Sequence, residues 1–218
     1  MKRRLLPLVV LTVLLALAAC TDTEPAPEVE EPADVEPVEA PWAYEGETGP
    51  ERWGSLSEAY AECEVGGEQS PIALDRTTAE VAELPALQFG YGQAALQVED
   101  TGHGYKATPA GEQTLQIGDD AYRLLQFHPH TPSEHTIGGQ KYPMVLHFVH
   151  QNDAGALAVV GVMVEEGAES GAYGPFVEAV RGGQESATVA SLEALLPSDR
   201  TYFTYPGSLT TPPCTEGV

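Results

Sequence analysis

All six histidines of this 218-residue chain lie between residues 103 and 150. Two of them form the triplet His128-Pro129-His130, and a third, His147, lies in the apolar run 144–149. Side chains two residues apart on a β-strand share a face, so a strand would place His128 and His130 side by side. An imidazole from a neighbouring strand would complete three ligands of a tetrahedral site with one open position. The pattern predicts a sheet that carries a catalytic metal centre.

The N-terminal segment predicts export to the cell envelope. Three basic residues precede the apolar run 5–19, which is too short and wrongly flanked for a transmembrane helix. The run ends at Leu17-Ala18-Ala19-Cys20, which resembles the lipobox of bacterial lipoproteins. Residues 1–19 are therefore predicted to be a lipoprotein signal peptide and Cys20 the lipidated residue. An ordinary secretory signal with an incidental cysteine is the alternative.

Residues 20–41 predict a disordered tether, because they are rich in Pro and Glu and lack aromatic and basic residues. The tether would hold a domain spanning residues 42–218 at a bacterial membrane, in the periplasm or at the cell surface, with the lipid as its only membrane contact. The domain carries 25 acidic and 7 basic residues. Such an excess of negative charge argues against nucleic acid and anionic lipid as partners. The sequence does not indicate an oligomeric state.

The two remaining cysteines, Cys63 and Cys214, predict a disulfide. With Cys20 assigned to lipid, they form an even pair in an oxidising compartment. Two unrelated free thiols are the alternative.

The rest of the chain predicts a mostly β domain of the α+β type. Short runs rich in β-branched and aromatic residues alternate with Gly and Pro. The predicted strands are Leu87–Phe89, Leu96–Val98, Tyr105–Thr108, Leu115–Ile117, Tyr122–Phe127, Val145–His150 and Leu157–Val164. The last is continuously apolar, which predicts burial on both faces. Weaker helical signals cover Gly174–Arg181 and Ser191–Leu195.

Five sequence segments resemble the α-class carbonic anhydrases in order and spacing. They are Gln69-Ser70-Pro71-Ile72, Gln126-Phe127-His128-Pro129-His130, Pro132-Ser133-Glu134-His135, Leu146-His147-Phe148-Val149-His150 and Tyr205-Pro206-Gly207-Ser208-Leu209-Thr210-Thr211-Pro212-Pro213. The resemblance runs from Trp42 to the last residue. It implies one domain around a large, mainly antiparallel twisted sheet with short peripheral helices.

The resemblance also implies an activity, the reversible hydration of carbon dioxide to bicarbonate and a proton by zinc-bound hydroxide. His128, His130 and His147 would bind Zn²⁺, and Gln126 would support His128. Thr210 and Glu134 would orient the hydroxide, and His103 would shuttle the proton through waters ordered by Tyr44. The substrate would lie against Val149, Val159, Leu209 and Thr211. His135 and His150 match structural positions and are not assigned to metal.

The chain departs from the family at three points. Proline at 129 replaces an aromatic residue and cannot donate to a strand ladder. Val145 stands where the family usually has a glutamate that accepts from the third ligand. The family continues beyond Val218, so the domain is expected to be incomplete at its C-terminus. A non-catalytic surface binding domain and an inactive fragment are therefore alternatives, whereas a zinc hydrolase of another fold is disfavoured because no His-Glu-x-x-His sequence is present.

Overall fold

The computed structural model describes residues 40–218. The predicted signal peptide, Cys20 and almost all of the predicted tether lie outside the described residues, so export and lipid attachment stay predictions. No helix within residues 40–218 has the length and apolar character needed to cross a membrane.

An antiparallel sheet of eight strands dominates the described part of the chain. In chain order the strands are β1 Ala73–Leu74, β2 Leu87–Gly90, β3 Ala94–Asp100, β4 Tyr105–Pro109, β5 Thr114–Ile117, β6 Asp120–His130, β7 Thr136–Ile137, β8 Gln140–Lys141, β9 Met144–Asn152, β10 Leu157–Val164 and β11 Ser186–Val189. The large sheet has the order β10-β9-β6-β4-β3-β11, with β5 on β6 and β2 on β5. Strands β1, β7 and β8 form a separate small sheet.

The helices are short and peripheral. They are α1 Trp53–Leu56, α2 Glu62–Val65, α3 Gly174–Gly182 and four 3₁₀ turns at Gly46–Thr48, Pro50–Arg52, Glu58–Tyr60 and Glu193–Leu195. Helix α3 begins with Pro175 in its first turn and ends at Gly183, whose φ of 61° is left-handed. The mostly β prediction and all seven predicted strands are confirmed, as is α3. The helix predicted from Ser191 is wrong, because only a 3₁₀ turn forms before Pro197.

Strand β10 differs from its prediction. Its continuous apolar run predicted burial on both faces, but only Val162 is buried and most of the strand is half-exposed. Among the described strands, β10 is the last in the order of the large sheet and pairs with β9 alone. An edge position leaves backbone and side chains more accessible than a central one, whatever the hydrophobicity of the run.

A β-bulge in β6 decides which residues share a face. Leu124 pairs with His150, whereas Gln126 pairs with Val149, so Leu125 is the extra residue and is turned towards solvent. After the bulge, alternation places Phe127 in the core and its two neighbours on the opposite face. The bulge thereby separates Leu124, a core residue, from Gln126 and the histidines that follow.

The core lies on the face of the sheet that carries Phe127. This side chain and Phe148 are fully buried, and their rings stack at 5.5 Å. Helix α3 covers them with Phe176, whose ring lies 5.6 Å from that of Phe127. Burial of three phenylalanines contributes on the order of 5–9 kcal/mol, at about 1.5–3 kcal/mol for each side chain. This packing gives the opposite face a rigid base.

Candidate metal centre

The face of β6, β9 and β10 opposite the core carries three rows of paired residues. Strand register aligns Gln126 with Val149 and Val159, His128 with His147 and Gly161, and His130 with Val145 and Met163. The register between β6 and β9 continues through Pro129, which pairs with Leu146. Proline at this position is therefore accommodated within the strand.

The three predicted ligand histidines converge on this face. One ring nitrogen from each of His128, His130 and His147 lies within 4.8 Å of the other two. The ring centroids are 4.8–5.4 Å apart, and the ring planes are inclined to one another, so the three rings are not stacked. Nε2 of His130 and Nε2 of His147 are buried without a hydrogen-bond partner. Buried polar atoms usually have a partner, so the unpaired Nε2 of His130 suits a nitrogen that coordinates a metal.

Burial keeps these imidazoles neutral. Burial lowers the pKa of His128 to about 4, and burial followed by repulsion from neighbouring histidines lowers the pKa of His130 to about 4. The same two causes place the pKa of His147 well below its ordinary value. Neutral imidazole is the form that coordinates a metal, and three imidazoles with an open position suit zinc. The residues present therefore fit the predicted ion.

Gln126 contacts His128 as predicted. Its Oε1 lies 2.8 Å from Nδ1 of His128, so the ring N–H at Nδ1 donates to the amide oxygen. The hydrogen bond leaves the lone pair of Nε2 of His128 free to coordinate a metal.

Glu134 lies beside the cluster. Its Oε1 is 3.4 Å from Nδ1 of His130, and its Oε2 is 3.7 Å from Nδ1 of His147. Burial raises the pKa of Glu134 to about 7, against the opposing effects of a hydrogen bond with Thr210 and the charge of Lys141. The predicted partners Glu134 and Thr210 are thus brought together.

The segment that carries Thr210 is held by hydrogen bonds within itself and by links to the rest of the domain. Residues Gly207 and Val218 exchange two backbone hydrogen bonds, and the backbone N–H of Leu209 donates to the carbonyl of Thr215. The backbone N–H of Ser70 donates to the Ser208 hydroxyl at 2.9 Å. Cys63 and Cys214 form the predicted disulfide. Leu209 and Thr211, both half-buried, flank Thr210 in this segment.

An aromatic cluster connects the site to solvent. The Tyr44 ring lies 6.2 Å from the His130 ring and 6.5 Å from the His103 ring. His103 is exposed and stacks on Trp42, with 3.7 Å between centroids and 11° between planes. Burial and the nearby Glu134 charge raise the pKa of Tyr44 to about 12, so its phenol stays protonated. The prediction placed Tyr44 and His103 near the site, but it missed the stack with Trp42.

His135 and His150 have partners away from the metal cluster. Nε2 of His135 accepts from the Tyr205 hydroxyl at 2.6 Å, and that hydroxyl also contacts Ser70 Oγ at 2.8 Å. His150 is fully buried, donates from Nδ1 to the Ala158 carbonyl at 3.1 Å and accepts at Nε2 from Tyr91. His150 thus has a polar partner at each ring nitrogen, which explains its burial without a ligand, and half-buried His135 has one at Nε2.

The His150 network predicts a loss of stability in acid. Burial lowers the pKa of His150 from 6.5 to about 4, so the unfolded chain binds this proton first as the pH falls. Stability is unaffected above pH 6.5 and falls between about pH 6.5 and pH 4, by about 3 kcal/mol for this residue. Urea unfolding of the metal-free protein across this range measures the loss. The variant His150→Gln should show a shallower dependence, and an equal slope in both proteins would contradict the assignment.

Comparisons with a family profile, with related sequences and with solved structures all point to the same family. The profile of eukaryotic-type carbonic anhydrase matches residues 48–218. A carbonic anhydrase from Klebsiella pneumoniae is 42% identical over 183 residues, which cover 81% of this chain and 74% of the relative. The α-carbonic anhydrase of Thermovibrio ammonificans, solved with sulfanilamide, superposes with a TM-score of 0.73 at 38% identity, covering 82% and 81% of the two chains. That of Photobacterium profundum gives 0.69 at 36% identity, with 81% of each chain covered.

A mainly antiparallel sheet that brings three histidines together on one face could hold a metal ion there. The chain belongs to the eukaryotic-type, α-class carbonic anhydrase family. The resemblance deduced from the sequence segments is thereby confirmed, and hydration of carbon dioxide is the general activity of this family.

Proposed function

We propose that this protein hydrates carbon dioxide reversibly at a zinc ion held by His128, His130 and His147. The observation that carries the proposal is the convergence of three neutral imidazoles, one buried and two half-buried, with one ring nitrogen of each within 4.8 Å of the other two. Zinc bound by three histidines lowers the pKa of a coordinated water to about 7, a value established on carbonic anhydrase itself, and so supplies a nucleophile at neutral pH.

Thr210 and Glu134 orient the attacking group. The Thr210 hydroxyl donates to the Glu134 carboxylate and has a lone pair left to accept from the nucleophile. Because that hydroxyl has a single hydrogen, donation to Glu134 fixes the direction of its acceptor lone pair. The fixed acceptor on Thr210 raises the reaction rate by positioning, since the nucleophile loses its free rotation before it reacts.

An apolar wall receives the substrate. Val149 and Val159 face one another in the row next to His128 and His147, and Leu209 precedes Thr210. Carbon dioxide has no net dipole, so an apolar surface accepts it more readily than the charged product. Thr211, half-buried and next to Thr210, adds a hydroxyl to the same segment.

The proton leaves towards Tyr44 and His103. His103 is exposed, and imidazole is the side chain best suited to accepting and releasing protons at neutral pH. Tyr44 lies between His130 and His103 and, as a protonated phenol, orders the waters that connect them.

Thr210→Ala tests the orientation step. We expect the rate of carbon dioxide hydration to fall on the order of 100-fold with zinc affinity unchanged, because the positioning hydrogen bond is lost and the ligands are retained. Stopped-flow hydration and zinc titration measure the two quantities. Thr215→Ala, an exposed residue of the same segment, is the matched control. Full activity of Thr210→Ala would show that Thr210 does not orient the attacking group.

His103→Ala tests the proton path. We expect a turnover about 10-fold lower in dilute buffer and near the parent value in concentrated imidazole, because a dissolved base then replaces the side chain. Hydration rates at several imidazole concentrations provide the measurement. A turnover that is insensitive to both changes would show that protons leave by another route.

A further inference from the structure

The two ring nitrogens of His147 lie in different surroundings. Nδ1 lies 3.7 Å from Oε2 of Glu134, the carboxylate that also contacts Nδ1 of His130. Nε2 is buried, has no hydrogen-bond partner and lies towards the outer strand β10. A Cβ at Gly161 would lie 3.9 Å from this nitrogen and 3.6 Å from Cγ2 of Val145. Nε2 therefore lies in a niche between Val145 and Gly161, neither of which has a polar side chain.

His128 shows what the niche lacks. Two residues before His128 on the same face, Gln126 accepts the ring N–H at 2.8 Å. The same step back from His147 leads to Val145, which is fully buried and offers no acceptor. Across the sheet, Gly161 pairs with His147 and has no side chain. Neither of these two neighbouring positions therefore offers Nε2 a polar side chain.

This difference has a consequence for the choice of tautomer. Metal coordination through Nδ1, the nitrogen beside Glu134, requires the ring hydrogen to lie on Nε2. An acceptor at Nε2 would favour that tautomer and fix the ring orientation, as Gln126 does for His128. Without an acceptor, binding leaves a buried N–H unpaired, which costs free energy that a partnered ligand does not lose.

We propose that Val145 and Gly161 set the metal affinity of this protein by leaving the third histidine without a polar partner. The two are positioning residues, since they act only through His147. The inference rests on the proposed zinc site. The histidine cluster then binds zinc less tightly, and releases it faster, than the same cluster would with one added acceptor.

Two substitutions supply the acceptor from opposite sides. Val145→Gln copies the relation between Gln126 and His128, with Val145→Leu as an apolar control. Gly161→Ser places a hydroxyl beside Nε2 from β10, with Gly161→Ala as its control. Gly161 has no left-handed φ, and the contacts at an added Cβ are ordinary van der Waals distances, so serine fits without backbone strain. If Val145→Gln does not fold, Gly161→Ser still tests whether an acceptor at Nε2 of His147 raises the zinc affinity.

Zinc affinity by competition with a chromophoric chelator, and the rate of zinc release, are the readouts. We expect Val145→Gln or Gly161→Ser to bind zinc 10–100-fold more tightly and to release it more slowly, the range known for such outer partners, partly from carbonic anhydrase. Val145→Leu and Gly161→Ala should match the parent. Equal affinities in acceptor and control variants, with the parent binding one zinc, would overturn this inference alone. A parent chain that binds no zinc would overturn the proposed function as well.

Discussion

Replacing His130 with alanine is expected to abolish stoichiometric zinc binding and to lower carbon dioxide hydration by more than about 100-fold. Loss of an outer partner alone costs 10–100-fold, and loss of a ligand removes both a bond and the open tetrahedral arrangement. His130 is the sharpest choice because its Nε2 is buried without a partner and its ring lies 4.8 Å and 4.9 Å from the other two. Zinc titration and stopped-flow hydration measure the effect.

His103→Ala is the control for this substitution. It also removes an imidazole, but from an exposed loop stacked on Trp42, and it should keep one zinc per chain. Retention of zinc and activity by His130→Ala would show that the cluster is not the metal centre. Unfolding monitored by circular dichroism separates loss of the site from loss of the fold.

Loss of the disulfide is expected to have the largest effect on stability. Removing it through Cys63→Ala with Cys214→Ala is expected to lower the free energy of unfolding by about 5 kcal/mol, from the chain entropy of a loop of 151 residues. Domains are commonly stable by only about 5–15 kcal/mol, so the loss is a large share of the total. Urea unfolding of the oxidised parent and the double variant measures the difference.

A functional effect should accompany that loss. The bridge fastens the segment that carries Thr210, so hydration should fall in the double variant even where it remains folded. Reduction of the parent by dithiothreitol should reproduce both changes and serves as the control, since it alters no residue. A loss of stability below about 1 kcal/mol would show that the hydrogen bonds of Ser70, Ser208 and Gly207 hold this segment without the bridge.

The sequence predicted the strands and the histidine cluster because both depend on short-range patterns. Alternation along β6 and β9 placed His128, His130 and His147 on one face, and the structure brings them together. Their partner Gln126 was found for the same reason, being two residues away on one strand. Assigning roles to Thr210 and Glu134 needed the family resemblance, because 76 residues separate them and no local pattern connects them.

The features that the sequence did not predict depend on packing between distant segments. The bulge at Leu125 changes the face of every later residue in β6, and nothing in the composition of this strand marks it. The edge position of β10 follows from strand order rather than from its apolar run. The stack of Trp42 on His103 joins residues 61 positions apart, and only the folded chain places them in contact.

The most direct test of the proposed function is hydration of carbon dioxide as a function of bound zinc. The metal-free chain is titrated with zinc, and the hydration rate is followed by stopped flow at each ratio. The proposal predicts a rate that rises linearly to one equivalent and then stays constant, with no rise in His130→Ala. One tightly bound zinc with hydration no faster than the uncatalysed reaction would contradict it and would identify a metal-binding domain without this activity.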